Sequence, residues 1–147
     1  MLRGVTGRCA VVAFAMTTLF VVAGRLAVQA DTGLDLTHAT VVVRGERAPL
    51  AERTAATVLV EETEKRSGVK WAAETNWPKA GWAIAILSGK EAALHGRPVP
   101  EGARTVKSEG YGIATDLSQP DRPVLWIAGA DPRGALFGVG RVLRNLE

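Results

Sequence analysis

The run Trp82-Ala83-Ile84-Ala85-Ile86-Leu87 constrains this chain more than any other feature. It is apolar at every position and preceded by Gly81, with Gly89 soon after, so neither face of the segment is suited to water and it reads as a strand buried on both sides, central in a sheet. A second apolar run, Pro123 to Ala128, follows the alternating segment Tyr111 to Thr115. The turn-forming stretch Asp116 to Arg122, with Pro120 and Asp121, joins the two as an antiparallel hairpin. Upstream, the β-branched stretch Ala39 to Arg44 predicts another strand, and Val69 to Ala72 a short one.

Helical periodicity occupies two places. From Leu50 to Arg66 the residues Ala51, Ala55, Ala56, Val58, Leu59 and Val60 form one apolar arc, opened by Pro49 and closed by Gly68. From Pro132 to Leu146 a second face carries Ala135, Leu136, Val139, Val142, Leu143 and Leu146, with Asp131 as N-cap and Pro132 as first helical residue. Arg141 and Arg144 suit the C-terminal end of that helix dipole. The long connection Ser88 to Glu109 holds glycines and prolines, with one helical turn around Lys90 to Leu94. The order predicts an α/β (α+β) two-layer sandwich: a mixed sheet of about five strands with two helices packed on one face, the first helix being a right-handed crossover between parallel strands.

The first thirty residues have a different character. Arg3 and Arg8 precede an apolar run from Cys9 to Ala23, and Val28-Gln29-Ala30 supplies the small residues of a cleavage site. Residues 1–30 are therefore expected to be a signal peptide and residues 31–147 the mature domain, exported to the periplasm or beyond the cell; an uncleaved anchor is the alternative. The apolar run is short for a membrane span and Arg25 interrupts it. The whole chain carries 18 basic and 15 acidic residues, a net charge of +3. Arg3, Arg8 and Arg25 account for that excess, so the mature domain is charge-balanced and neither nucleic acid nor, after cleavage, a membrane is expected as partner. The single cysteine, Cys9, leaves with the signal, which excludes disulfides and thiolate metal sites from the domain. Asp31–Glu147 suffices for one core but not for a catalytic barrel of roughly 250 residues.

Sequence motifs for unaided chemistry are lacking. Gly129-Ala130-Asp131 departs from G-x-G-x-x-G at its second glycine and would set a carboxylate against a phosphate. Gly89-Lys90 lacks the flanking residues of a P-loop and reads as a turn. His38 and His95 stand far apart, with no metal-binding cluster around either, and no cofactor is implied. Glu61, Glu62 and Glu64 form a solvated helix face, Asp116 and Asp121 form turns and Asp131 caps a helix, so no pair of carboxylates is marked as a glycosidase dyad. Trp77, before Pro78, is the tryptophan expected at the surface and the candidate for contact with a glycan or partner. Gly134, Gly138 and Gly140 each cost about 1 kcal/mol relative to alanine in a helix interior; they are expected where the helix backbone closely approaches the sheet or a neighbouring domain.

Two segments taken together, Glu109-Gly110-Tyr111-Gly112-Ile113 and Leu125-Trp126-Ile127-Ala128-Gly129-Ala130-Asp131-Pro132-Arg133-Gly134-Ala135-Leu136-Phe137-Gly138-Val139, resemble the non-catalytic N-terminal domain of family 67 α-glucuronidases and family 20 β-hexosaminidases. The helix Ala51 to Arg66 followed by Ser67-Gly68-Val69 is similar to an upstream passage of that domain. The resemblance implies an exported accessory domain of a glycoside hydrolase, involved in polysaccharide breakdown. It would pack against a catalytic barrel supplied in cis or trans, and no catalytic residue is carried over. The alternative is a free-standing module that binds a polysaccharide or a protein through Trp77 and the loop Ser88 to Glu109.

Overall fold

The computed structural model describes residues 33–146; the expected signal peptide lies outside them. Strand β1 (Thr40–Val42) leads through a 3-10 turn at Gly45–Arg47 into helix α1 (Leu50–Ser67) and strand β2 (Ala72–Glu74). Next come β3 (Ala83–Ser88), the two-residue strands β4 (Ala93–Leu94) and β5 (Arg97–Pro98), and a 3-10 turn at Glu101–Ala103. The chain then closes with β6 (Tyr111–Asp116), β7 (Val124–Gly129) and α2 (Pro132–Leu143). The main sheet has the order β2-β1-β3-β7-β6. Strands β2, β1, β3 and β7 pair in parallel, whereas β6 runs antiparallel to β7. This is the expected mixed five-stranded α/β sheet with two helices, which pack against each other.

Alternation along the strands divides the core in two. Val41, Ile84, Ile86, Leu125 and Ile127 point toward the helices and meet Ala55 and Leu59 of α1 and Ala135, Val139 and Val142 of α2. Val42, Ala85, Leu87, Val124 and Trp126 point the other way and meet Leu94, Val99 and Ala103. The long connection after β3 thus covers the sheet face that has no helix. That cover explains why β3 and β7 are buried at every position. Each fully buried large side chain here contributes about 1.5–3 kcal/mol relative to exposure.

Helix α1 starts after Pro49 and stops at Gly68, whose φ of 75° is left-handed and whose N–H returns to the Glu64 carbonyl. Two expectations about local structure are corrected. The strand expected at Val69–Ala72 lies at Ala72–Glu74, because the Ala39 N–H is committed to the Leu36 carbonyl in a turn and the β1 ladder begins only at Thr40, opposite Ala72. The residue before it, Trp71, is buried and donates its indole N–H to the same Leu36 carbonyl at 2.7 Å. The helical turn expected around Lys90–Leu94 is replaced by the β4–β5 hairpin. His95 and Gly96 both take positive φ (43° and 78°), as a tight two-residue hairpin turn requires.

Candidate functional site

The residues of the C-terminal motif converge at the junction of β6, β7 and α2. Asp131 stands in extended conformation before α2, where its Oδ1 accepts the Gly134 N–H at 2.8 Å. Its Oδ2 accepts the Glu109 N–H at 2.7 Å. That second bond holds Glu109 at a left-handed φ of 57°, and the Glu109 carboxylate pairs with Arg133 Nη1 at 2.9 Å. The Ala130 N–H donates to the Gly110 carbonyl at 2.9 Å. The two backbone donors, Glu109 first and Gly134 second, hold the Asp131 carboxyl below its usual range. The ion pair with Glu109 raises Arg133 further above the ordinary guanidinium value. The helix N-terminus is thereby filled by a side chain of its own, and Asp131, Glu109, Arg133 and the Gly134 N–H are engaged with one another within the domain.

The three glycines of α2 divide into two kinds. A Cβ on Gly134 would collide with the Gly110 carbonyl, and one on Gly138 would stand 2.7 Å from Ile127 Cγ2 and 3.3 Å from Tyr111 Cβ. These two let the helix lie directly on β6 and β7. Gly140 has nothing within 4 Å of its Cβ position, so no contact within the domain accounts for it. Gly140 shares the outward stripe of α2 with Arg133, Phe137 and Arg144, spaced as one helical face, and Arg141 adjoins it. Phe137 is 48% exposed there, with Tyr111 half-buried against Gly138.

Trp77 is partly buried. Its ring meets Trp126 at 5.7 Å and 60°, its indole N–H donates to the His95 carbonyl at 3.2 Å, and the Arg97 guanidinium lies over it at 5.3 Å. Arg97 is itself fixed by Asp116 at 3.0 Å. A sugar stacking on Trp77 would have to compete with that cation. The structure therefore places Trp77 and the loop after β3 in the cover of the second core, and it does not bring Trp77 together with the α2 glycines.

One buried polar cluster escaped the sequence reading. Glu52 is only 1% exposed, and both of its carboxylate oxygens accept from Arg44, through Nε at 2.8 Å and through Nη2. Ser88 Oγ donates to Glu52 Oε2, and Arg44 Nη2 also reaches the Ser88 carbonyl at 3.1 Å. The carboxylate raises Arg44 above its ordinary value. The sequence signal was present: Glu52 lies on the same helical stripe as Ala55, Ala56, Leu59 and Thr63, which is the buried face of α1. The cluster locks the exit of β1, the first turn of α1 and the end of β3 together. Its buried acid is occupied by a guanidinium, an arrangement suited to holding structure and not to transferring a proton.

Among the described residues no group of three or more histidine, cysteine, aspartate or glutamate side chains is disposed to hold a metal ion, and no helix is long and apolar enough to cross a membrane.

No family model and no curated protein sequence matches the chain. Among solved structures, the chain is similar to a family GH115 4-O-methyl-α-glucuronidase with specificity for decorated arabinogalactans, at 19% identity and a TM-score of 0.49 over 73% of this chain. The chain spans 13% of the length of that glucuronidase.

Proposed function

We propose that residues 31–147 form an exported, non-catalytic accessory domain of a glycoside hydrolase, of family 67 α-glucuronidase or family 20 β-hexosaminidase type, which packs the outward face of α2 against a catalytic barrel. The motif from Glu109 to Val139 supports the reading by its similarity to such domains. The observation that carries it is the division of labour along α2. Gly134 and Gly138 serve packing inside the domain, while Gly140, whose Cβ position meets nothing within 4 Å, and the half-exposed Phe137 lie on an outward stripe. An aromatic anchor beside a backbone without a side chain, ringed by arginines, is the composition expected at the centre of a protein interface. Export rests on the charged and apolar layout of residues 1–30, and polysaccharide breakdown is the process such a domain serves.

Two steps test the reading. The genomic DNA that follows the codon for Glu147, in frame or adjacent, is expected to encode a barrel. The product of that frame should then bind the purified protein, and Phe137→Glu should weaken binding at least about tenfold. Trp77→Ala should leave binding unchanged. A barrel that fails to bind, or binds the Phe137→Glu protein equally well, rejects the docking face. Retention of the protein on a polysaccharide resin, lost on Trp77→Ala, would support a free-standing binding module instead.

A further inference from the structure

We infer that the flank of α1 opposite α2 is a two-fold interface, on which a second copy of this chain docks with the two α1 helices antiparallel. Among the described residues no further helix covers this side of α1. A cavity of about 400 Å³ runs beside α1, with Val43, Ala56, Val60 and Ala73 among its lining residues, and next to it the edge strand β2 is exposed at all three positions. An apolar trough along a helix and an uncovered strand edge are features that monomeric domains rarely leave open.

The charges on the flank identify the occupant. Three exposed residues follow one another at four-residue spacing along α1: Arg53, Thr57 and Glu61. Arg53 and Glu61 also line the cavity. Elsewhere on the helix the charges are paired, Glu52 with Arg44, Glu62 with Lys65 and Arg66, and Glu64 with Lys70, while Glu46, before the helix, also lines the cavity. Arg53 and Glu61 form no ion pair among the described residues. A cation and an anion equidistant from a central small residue make a self-complementary pattern. When a second α1 lies antiparallel across Thr57, Arg53 of each copy meets Glu61 of the other, and the two-fold axis makes both contacts at once. A parallel arrangement would place like charges together. The same operation sets a second helix beside the first at the usual separation of about 8–10 Å, over the trough. This surface is separate from the outward stripe of α2, so the inference stands or falls independently of the proposed docking to a barrel.

Sedimentation of the purified protein over a concentration series up to roughly 100 μM tests it. The wild-type protein is expected to form dimers. Arg53→Glu and Glu61→Arg should each weaken association at least about tenfold, because each replaces two attractive contacts with two repulsive ones. The double variant R53E/E61R should dimerise again. Circular dichroism on each variant separates loss of association from loss of fold. A wild-type monomer throughout the series overturns the inference, as do single variants that dimerise like wild type or a folded double variant that stays monomeric.

Discussion

Arg44 and Glu52 form a bidentate ion pair between the residue leaving β1 and the first turn of α1, with the carboxylate removed from solvent and Ser88 closing its remaining valence. Removal of one partner from such a pair strands the other. Glu52→Ala is therefore expected to destabilise the fold by roughly 3 kcal/mol, toward the lower end for a buried pair because Arg44 keeps Glu91 at 3.3 Å and some contact with water. The double change Arg44→Met with Glu52→Leu should recover most of that loss. Urea denaturation of the three proteins checks both statements. A Glu52→Ala protein as stable as wild type would show that the pair is not integral to the fold.

Asp131 uses both oxygens, one for the helix cap and one for Glu109. Asparagine is a good N-cap in general, yet here its amide would present N–H donors to a second N–H. Asp131→Asn is accordingly expected to lower the melting temperature by a few degrees, most of the effect of Asp131→Ala. Equal melting of wild type and Asp131→Asn would mean that the Glu109 contact contributes nothing.

The pH dependence follows from the same residue. Asp131 is held below the usual carboxylate range by the Glu109 and Gly134 N–H groups, and Asp116 by Ser118 and then Arg97. The unfolded chain binds these protons more tightly than the folded one. The stability contributed is thus complete above the unfolded value of about 3.9 and is lost as pH falls through the lower folded values. Denaturation midpoints measured from pH 5 downward should fall, and Asp131→Asn should flatten part of that slope. A slope unchanged by the substitution would assign the acid sensitivity elsewhere.

The glycines of α2 should respond in opposite directions. Gly134→Ala forces a Cβ onto the Gly110 carbonyl and should cost about 2 kcal/mol or more, since backbone on both sides must move. Gly140→Ala meets nothing and should stabilise the isolated domain by roughly 0.5–1 kcal/mol through helix propensity. If α2 docks as proposed, Gly140→Ala also weakens binding of the barrel while it strengthens the fold. Thermal melts of the two variants, side by side, read these signs.

Much of this architecture was legible in the residues because its signals were local. The apolar runs Trp82–Leu87 and Pro123–Ala128 read as strands, the first of them central in the sheet, the Asp131-Pro132 pair suits a helix start, and Gly68 marks where α1 stops. The identity of what covers the second sheet face was not legible. It is a segment with no periodicity, and Leu94, Val99 and Ala103 reach the core from turns and two-residue strands whose spacing carries no pattern. Glu52 was hidden for the opposite reason: an acid is assigned to solvent unless its partner is known, and Arg44 is brought to it by the turn between β1 and α1. The glycine spacing in α2 signals close approach, but which glycines touch the sheet depends on the tertiary packing: Gly134 and Gly138 do and Gly140 does not.

The most direct measurement of the central claim is hydrolysis by the purified protein alone. Incubated with chromogenic α-glucuronide and β-N-acetylhexosaminide substrates, it is expected to release no product above the spontaneous rate. Turnover that depends on the concentration of this polypeptide, and that disappears when a single carboxylate such as Glu52 or Asp131 is replaced in a protein that remains folded, would contradict the account.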